Sequence, residues 1–399
     1  MDSSPRKIIL PVIVVSQFFC TSVWFAGNAV LGDIIHTFQL DPGFLANLTS
    51  SVQFGFISGT FVFAVLTIAD RFSPSRVFFV SAIMAALCNL GITCLPAGTA
   101  IKGIDSSALL FFRFLTGFFL AGIYPVGMKI ASDHYQKGLG KSLGFLVGAL
   151  VVGTSLPHLL KSIAADFPWK NVVFSTSALS FLGGLAIISL VPDGPYRKRS
   201  HRLDLTAFLR GYSNKNLRAA SLGYFGHMWE LYTFWAFVPV MLQAYNDLHG
   251  TPGFNVSLLS FIIIGGGGLA CVVSGLLSLN YGAKKIATLA LALSGLCCIL
   301  SPLFLSLDSP PALIIFLFFW GLVVIADSPL FSTLVAQNSA EESRGSALTI
   351  MNCIGFSITI VSIQLINMLT RYMSVEFVFT VLALGPFLGL IALMANKSS

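Results

Sequence analysis

Apolar residues run through this chain in twelve long stretches separated by short polar interruptions, over residues 8–34, 45–69, 75–95, 108–132, 141–162, 171–190, 219–244, 257–280, 284–306, 311–336, 344–369 and 375–395. Each is close to the ~20 residues that an apolar helix needs to cross the hydrocarbon core of a bilayer. Within a stretch the apolar residues are nearly continuous and do not alternate, which predicts buried or lipid-facing helices and not strands. The pattern predicts an all-α polytopic membrane protein with 12 transmembrane helices. The segment starting at Ile8 lacks a small-residue cleavage site and reads as a retained helix, not a leader. One interruption is long, polar and basic. It divides the chain into an N-terminal six-helix bundle (1–191), a linker (192–218) and a C-terminal six-helix bundle (219–399).

The basic residues orient this arrangement. If the N-terminus is cytoplasmic, 18 of the 23 Lys and Arg fall on the cytoplasmic side, four (Lys102, Lys161, Lys170 and Arg371) fall on the other, and Arg113 lies inside a helix. Positive charge accumulates on the cytoplasmic face of membrane proteins, so both termini and the linker are expected there. Composition agrees: 55% of the 399 residues are hydrophobic, 10% are charged and 36 are Phe. Mean hydropathy is +0.85. A soluble enzyme, a secreted disulfide scaffold and a nucleic-acid-binding module are excluded, because soluble domains carry about 25% charged residues. The net charge of +7 is topogenic, with the linker free to touch anionic lipid headgroups. All seven cysteines fall in apolar stretches without metal-type spacing and read as small buried hydrophobes.

The two halves resemble each other, as in duplicated carrier folds. Gly117 precedes Pro125 by eight residues in the fourth segment, and Gly321 precedes Pro329 by eight in the tenth. Gly140-Lys-Ser-Leu143 opens the fifth segment, and Gly345-Ser-Ala-Leu348 stands at the start of the eleventh. Together these predict a 6+6 pseudo-symmetric fold.

Charge inside the membrane is costly and marks function by default. Arg113, Glu230 and Asp327 lie clearly within segments. Glu230 is near the middle of the seventh, with His227 three residues earlier on the same helical face. A carboxylate beside an imidazole in low dielectric can change protonation when a substrate approaches, which proton coupling requires. Asp327 neighbours the helix-breaking Pro329 and can instead satisfy freed backbone donors. Glu230, His227, Arg113 and Asp327 are therefore the candidate substrate and proton-coupling residues.

A face of Gln17, Thr21, Trp24 and Asn28 recurs at steps of four, three and four on the first segment. Cavity-lining candidates are Gln17, Trp24, Asn28, Gln53, Tyr124, His158, Trp229, Tyr232 and Asn352, each of which can equally bond a neighbouring helix. Gly265-Gly266-Gly267-Gly268 lacks the Lys-Ser/Thr of a phosphate loop and implies close helix packing or a hinge. No nucleophile–base or metal constellation appears, so an enzyme is not expected, nor is a cofactor or a bound metal.

The loop Ala69-Asp70-Arg71-Phe72-Ser73-Pro74-Ser75-Arg76 resembles the major facilitator superfamily signature Gly-x-x-x-Asp-Arg-x-Gly-Arg-Arg. Leu66 and Ser73 stand where the glycines belong; the equivalent loop after the eighth segment keeps Gly275 and Gly282 but has Leu279 and Asn280 for the acid and arginine. Arg113 and Gly117 meet a second signature, Arg-x-x-x-Gly. Helix number, long middle loop and motif positions extend the resemblance over essentially the whole chain. It implies secondary active transport by alternating access, with Asp70, Arg71 and Arg76 in a cytoplasmic latch and Arg113 in the coupling machinery. A proton-coupled importer of a small polar or amphipathic organic solute, monomeric in a bacterial cytoplasmic membrane, is expected. An exporter is the alternative: Gly144 and Gly153 keep the spacing of an antiporter motif, although Pro157 and His158 replace its Gly-Pro. A receptor or scaffold without transport is the non-transport alternative.

Overall fold

A computed structural model describes residues 8–41, 43–96, 104–135, 139–163, 167–197, 211–250 and 253–395. Both chain ends and residues 198–210 of the expected linker lie outside these, and so do Lys102 and Lys137. The chain divides into two compact units, residues 1–202 and 203–399.

In the first unit, α1 is made of Ile9–Thr21, Ala26–Ala29 and Leu31–Phe38. It is followed by α2 (Phe44–Val65), α3 (Pro74–Gly91), α4 (Ile104–Leu120 and Tyr124–His134), α5 (Leu139–Ile163) and α6 (Lys170–Leu190). The second unit holds α7 (Lys215–His249), α8 (Val256–Tyr281), α9 (Ala283–Ser306), α10 (Pro310–Ala326 and Ser328–Asn338) and α11 (Arg344–Leu369). It ends with α12, in which Val375–Val378 and Leu384–Ala395 are joined by the 3-10 turn Phe379–Ala383. Ten spans, all but α1 and α7, are by themselves long and apolar enough to cross a membrane. α7 is 35 residues long but carries Tyr224, His227, Trp229, Glu230, Tyr232 and Trp235. The result is an all-α, twelve-helix membrane fold.

The units repeat one packing plan. α1 packs on α5 and α6, α2 on α4, and α3 on α6; α7 packs on α11 and α12, α8 on α10, and α9 on α12. Gly117 and Gly321 do the same work in each. A Cβ on Gly117 would strike the Val52 carbonyl of α2, and one on Gly321 the Ile263 carbonyl of α8. Both replace a side chain with backbone-to-backbone approach, the usual way membrane helices pack closely. Gly266 likewise lies against the ring of Phe318, which is the packing expected of the glycine run.

The first, fourth and tenth predicted segments are each broken, the tenth at the Pro329 that the sequence already marks as helix-breaking. α4 breaks just before Pro125 and α10 just before Pro329, because proline has no N–H for the carbonyl four residues back and its ring crowds that carbonyl. In α10 that carbonyl belongs to Ile325, and the Cys271 thiol of α8 supplies a donor at 3.7 Å. α1 breaks at residues 22–25 without proline. The Thr21 and Ser22 hydroxyls bond back to Gln17 O and Phe19 O, at 2.9 and 2.6 Å, a pattern that bends helices. Hydroxyls alone do not hold such a break open in a membrane; the freed carbonyls need donors.

Ser73 has φ −58, so the chain needs no glycine there, whereas Gly282 has φ +87 at the matching place in the second unit. Among the cysteines, Cys20, Cys88, Cys271, Cys297 and Cys298 are buried as expected. Cys94, at the end of the 3-10 turn after α3, is exposed because it lies beyond the packed part of the helix.

Candidate functional site

The break in α1 is met by Arg113 of α4. Its guanidinium donates to Val23 O at 3.0 Å, to the Trp24 carbonyl, and to Asn89 Oδ1 of α3 at 3.2 Å. The side chain is fully buried. Asn89 donates in turn to Thr176 Oγ1 and Ser177 Oγ of α6, at 3.1 and 2.9 Å. A guanidinium offers five donors in a rigid fork, so one side chain satisfies two carbonyls and an amide. No ion pair is made to Arg113 among the described residues. Its Nε has no partner among the described residues and lies against Gly27.

Beside this junction, α1 and α2 present polar faces to each other. Asn28 Nδ2 donates to Thr49 Oγ1 at 2.7 Å, and Trp24 meets Phe56 at a ring-centroid distance of 4.8 Å. Thr49, Gln53, Phe56 and Thr60 follow at steps of four, three and four, so the α2 face is continuous. Gln17 and Gln53 are completely buried, and neither amide has a hydrogen-bond partner among the described residues. His158 of α5 is buried, and its Nε2 has no partner among the described residues. Tyr124, at the restart of α4 beside Pro125, is half-buried. A buried amide or imidazole without a partner is uncommon because desolvating it is costly.

Glu230 is fully buried in the second unit. Its Oε1 accepts from Trp320 Nε1 of α10 at 2.6 Å, and its Oε2 from Ser294 Oγ of α9 at 2.9 Å. No cation pairs with it among the described residues. The Trp320 ring is fixed by Phe234 and Phe316, with centroids at 4.6 and 5.7 Å. Neither Trp320 nor Ser294 stands out in the sequence, because one looks like packing and the other like filler.

His227 does not join Glu230. Although the two share a helical face by spacing, His227 Nδ1 lies 2.7 Å from Asp327 Oδ1, at the break in α10, and both side chains are buried. The contact is close, and His227 Nε2 has no hydrogen-bond partner among the described residues. The carboxylate and imidazole therefore sort into two centres: Glu230 with Trp320 and Ser294, and His227 with Asp327.

The remaining aromatic and amide candidates serve helix contacts. Trp229 Nε1 donates to Val381 O at 3.4 Å, and its ring lies against Gly385 of α12. Tyr232 packs on Trp235 and Phe356. Asn352 accepts from Tyr224 Oη at 3.0 Å.

In the loop between α2 and α3, Asp70 pairs with Lys129 of α4 at 2.8 Å, and Lys129 lies 3.8 Å from Asp133. By sequence Lys129 counts only as a topogenic charge, yet it is the partner of Asp70. Arg71 and Arg76 are exposed.

The profile of the Major Facilitator Superfamily matches residues 13–363. The niacin transporter NiaP of Acinetobacter baylyi is 27% identical over 232 residues, 51% of this chain and 47% of that protein. Inorganic phosphate transporter 1-1 of Oryza sativa subsp. japonica is 27% identical over 187 residues, 45% of this chain and 33% of its own. The chain thus spans about half the length, or less, of these relatives. The xylose transporter XylE from E. coli, in a partially occluded inward-open conformation, superposes with a TM-score of 0.76 at 12% identity, covering 98% of this chain and 97% of that one. A point mutant of the nucleoside transporter NupG gives 0.72 at 15%, covering 98% and 100%. At these identities the likeness to XylE and NupG is one of fold. With the profile matched over most of its length and the twelve-helix fold present, the chain belongs to the Major Facilitator Superfamily.

Proposed function

We propose that this protein is a secondary active transporter that moves a small polar or amphipathic organic solute across a membrane by alternating access, coupled to protons in the uptake direction. The observation that carries the reading is Glu230: a carboxylate at full burial, held by the neutral donors of Trp320 and Ser294, with no cation paired to it among the described residues. Permanent ionisation there is costly, so the group is suited to gain and lose a proton during a cycle. His227 with Asp327 forms a second buried titratable pair, and Arg113 holds the α1 break against which the polar faces of α1 and α2 are set. Unpartnered Gln17, Gln53 and His158, with Asn28, are the residues assigned to the solute. Asp70 with Lys129, together with Arg71 and Arg76, is assigned to gating at the cytoplasmic side.

The similar proteins, carriers of niacin, inorganic phosphate, xylose and nucleosides, support a small-solute carrier without choosing its solute. A monomer in a bacterial cytoplasmic membrane, needing no cofactor, fits this reading. Purified protein in proteoliposomes tests it: radiolabelled carboxylates, nucleosides, sugars and amino acids are screened for uptake under an inside-alkaline gradient. Accumulation collapsed by a protonophore is expected. Accumulation only under the reversed gradient would make the protein an exporter, and flux indifferent to the gradient would remove proton coupling.

A further inference from the structure

A notch of about 520 Å³ opens in the first unit between the α2–α3 loop, the start of α3 and the end of α6, lined by Arg71, Ser73, Ser75, Arg76, Asp193 and Arg197, among others. It is built, not incidental. Arg197 is a strut: its Nη1 pairs with Asp193 at 2.8 Å, and its Nη2 donates to Phe72 O at 2.7 Å and Asp70 O at 3.2 Å. Ser75 Oγ donates to Val191 O at 2.8 Å and Ser73 Oγ to Asp193 Oδ1 at 2.6 Å, so the end of α6 is stitched to the start of α3. Asp193 is thereby committed to Arg197 and Ser73. Arg71 and Arg76 are left exposed with no ion pair or hydrogen bond through their guanidinium groups among the described residues. The Ser73 hydroxyl, turned towards Asp193, does not cap the first turn of α3, whose amides face an anion favourably.

Guanidinium forks that have no carboxylate of their own, at the head of an uncapped helix, match the geometry of a phosphate oxyanion. The surroundings indicate where that phosphate comes from. Phe72 is 60% exposed, Val80, one turn beyond Arg76, is 56%, and Leu190, at the end of α6, is 49%. An apolar surface beside free arginines is the profile of a membrane interface, where side chains reach headgroups above and acyl chains below. We propose that this notch binds the phosphate of an anionic phospholipid headgroup through Arg71 and Arg76. The proposal is independent of which solute the protein carries, since binding is read without transport.

The full chain in nanodiscs of phosphatidylcholine, titrated with phosphatidylglycerol and read by native mass spectrometry and thermal shift, provides the test. The control variant is K284Q/K285Q, which removes two basic residues from the equivalent loop of the second unit. Saturable phosphatidylglycerol binding is expected, weakened about fivefold by either R71Q or R76Q and about thirtyfold by both, and little changed in the control. The same weakening in K284Q/K285Q, or none in R71Q/R76Q, would overturn the site and leave only diffuse surface attraction. Competition by millimolar inorganic phosphate or glycerol 3-phosphate would keep the phosphate site but assign it to a soluble anion; insensitivity to both supports the lipid source.

Discussion

His227 of α7 lies 2.7 Å from Asp327, which sits where α10 breaks before Pro329. The proline frees backbone groups and holds the carboxylate at a discontinuity, and the imidazole reaches it across the helix pair. The centre therefore depends on the α10 break, which an uninterrupted helix would remove. This pairing leaves Glu230, one turn further along α7, to Trp320 and Ser294.

Energetic coupling should follow that division. In a double-mutant cycle, His227→Gln and Asp327→Asn are expected to couple by about 0.5–3 kcal/mol in thermal stability. His227→Gln and Glu230→Gln should add to within about 0.5 kcal/mol. Stronger coupling to Glu230 than to Asp327 would reverse the assignment.

Glu230→Gln keeps the shape, accepts from Trp320 Nε1 through its one amide oxygen and can donate its NH2 to Ser294 Oγ, yet it cannot exchange a proton. The variant is expected to insert normally and to lose accumulation driven by a pH gradient, while counterflow exchange survives. The two assays run side by side in proteoliposomes. Wild-type accumulation by the variant would move the coupling proton to Asp327 or His158.

Arg113→Gln strands the Val23 and Trp24 carbonyls at the α1 break and removes the Asn89 contact. Leaving buried polar groups unsatisfied costs about 1–3 kcal/mol each, so the two stranded carbonyls are expected to cost about 2–6 kcal/mol in total. Arg113→Lys should recover only part, because one ammonium does not span three acceptors. Melting temperature of the purified variants, measured by intrinsic fluorescence, is the check.

Gly117→Ala and Gly321→Ala place a methyl against a carbonyl of the facing helix. Each should destabilise by about 1–3 kcal/mol through forced separation of α4 from α2 or α10 from α8. Near-equal losses are expected because the two sites are repeats. Gly144→Ala serves as a control, since nothing lies within 4 Å of a Cβ there.

Asp70→Asn should slow turnover while changing the half-saturation concentration little, and Lys129→Gln should reproduce the effect, because the two form one 2.8 Å pair. Cysteine accessibility from each side of the membrane reads the expected shift in conformational bias. Normal turnover in both variants would remove the pair from gating.

The sequence by itself determined the helical membrane architecture. Unbroken apolar runs of bilayer length have no other means of satisfying their backbone in lipid. The Gly117–Pro125 and Gly321–Pro329 spacings already carried the repeat, since both residue types act on the backbone and leave a local mark. Residues costly to bury, Arg113, Glu230 and Asp327, announced themselves for the same reason. Only the tertiary structure decided their partners. Val23 and Trp24 offer Arg113 carbonyls that every residue possesses, and Trp320, Ser294 and Lys129 are ordinary where they stand in the chain. Spacing on α7 placed His227 beside Glu230, but three residues along one helix fix only a shared face. Which neighbour each side chain meets was set by α9 and α10, through packing and the Pro329 break, at sequence separations that no local pattern records.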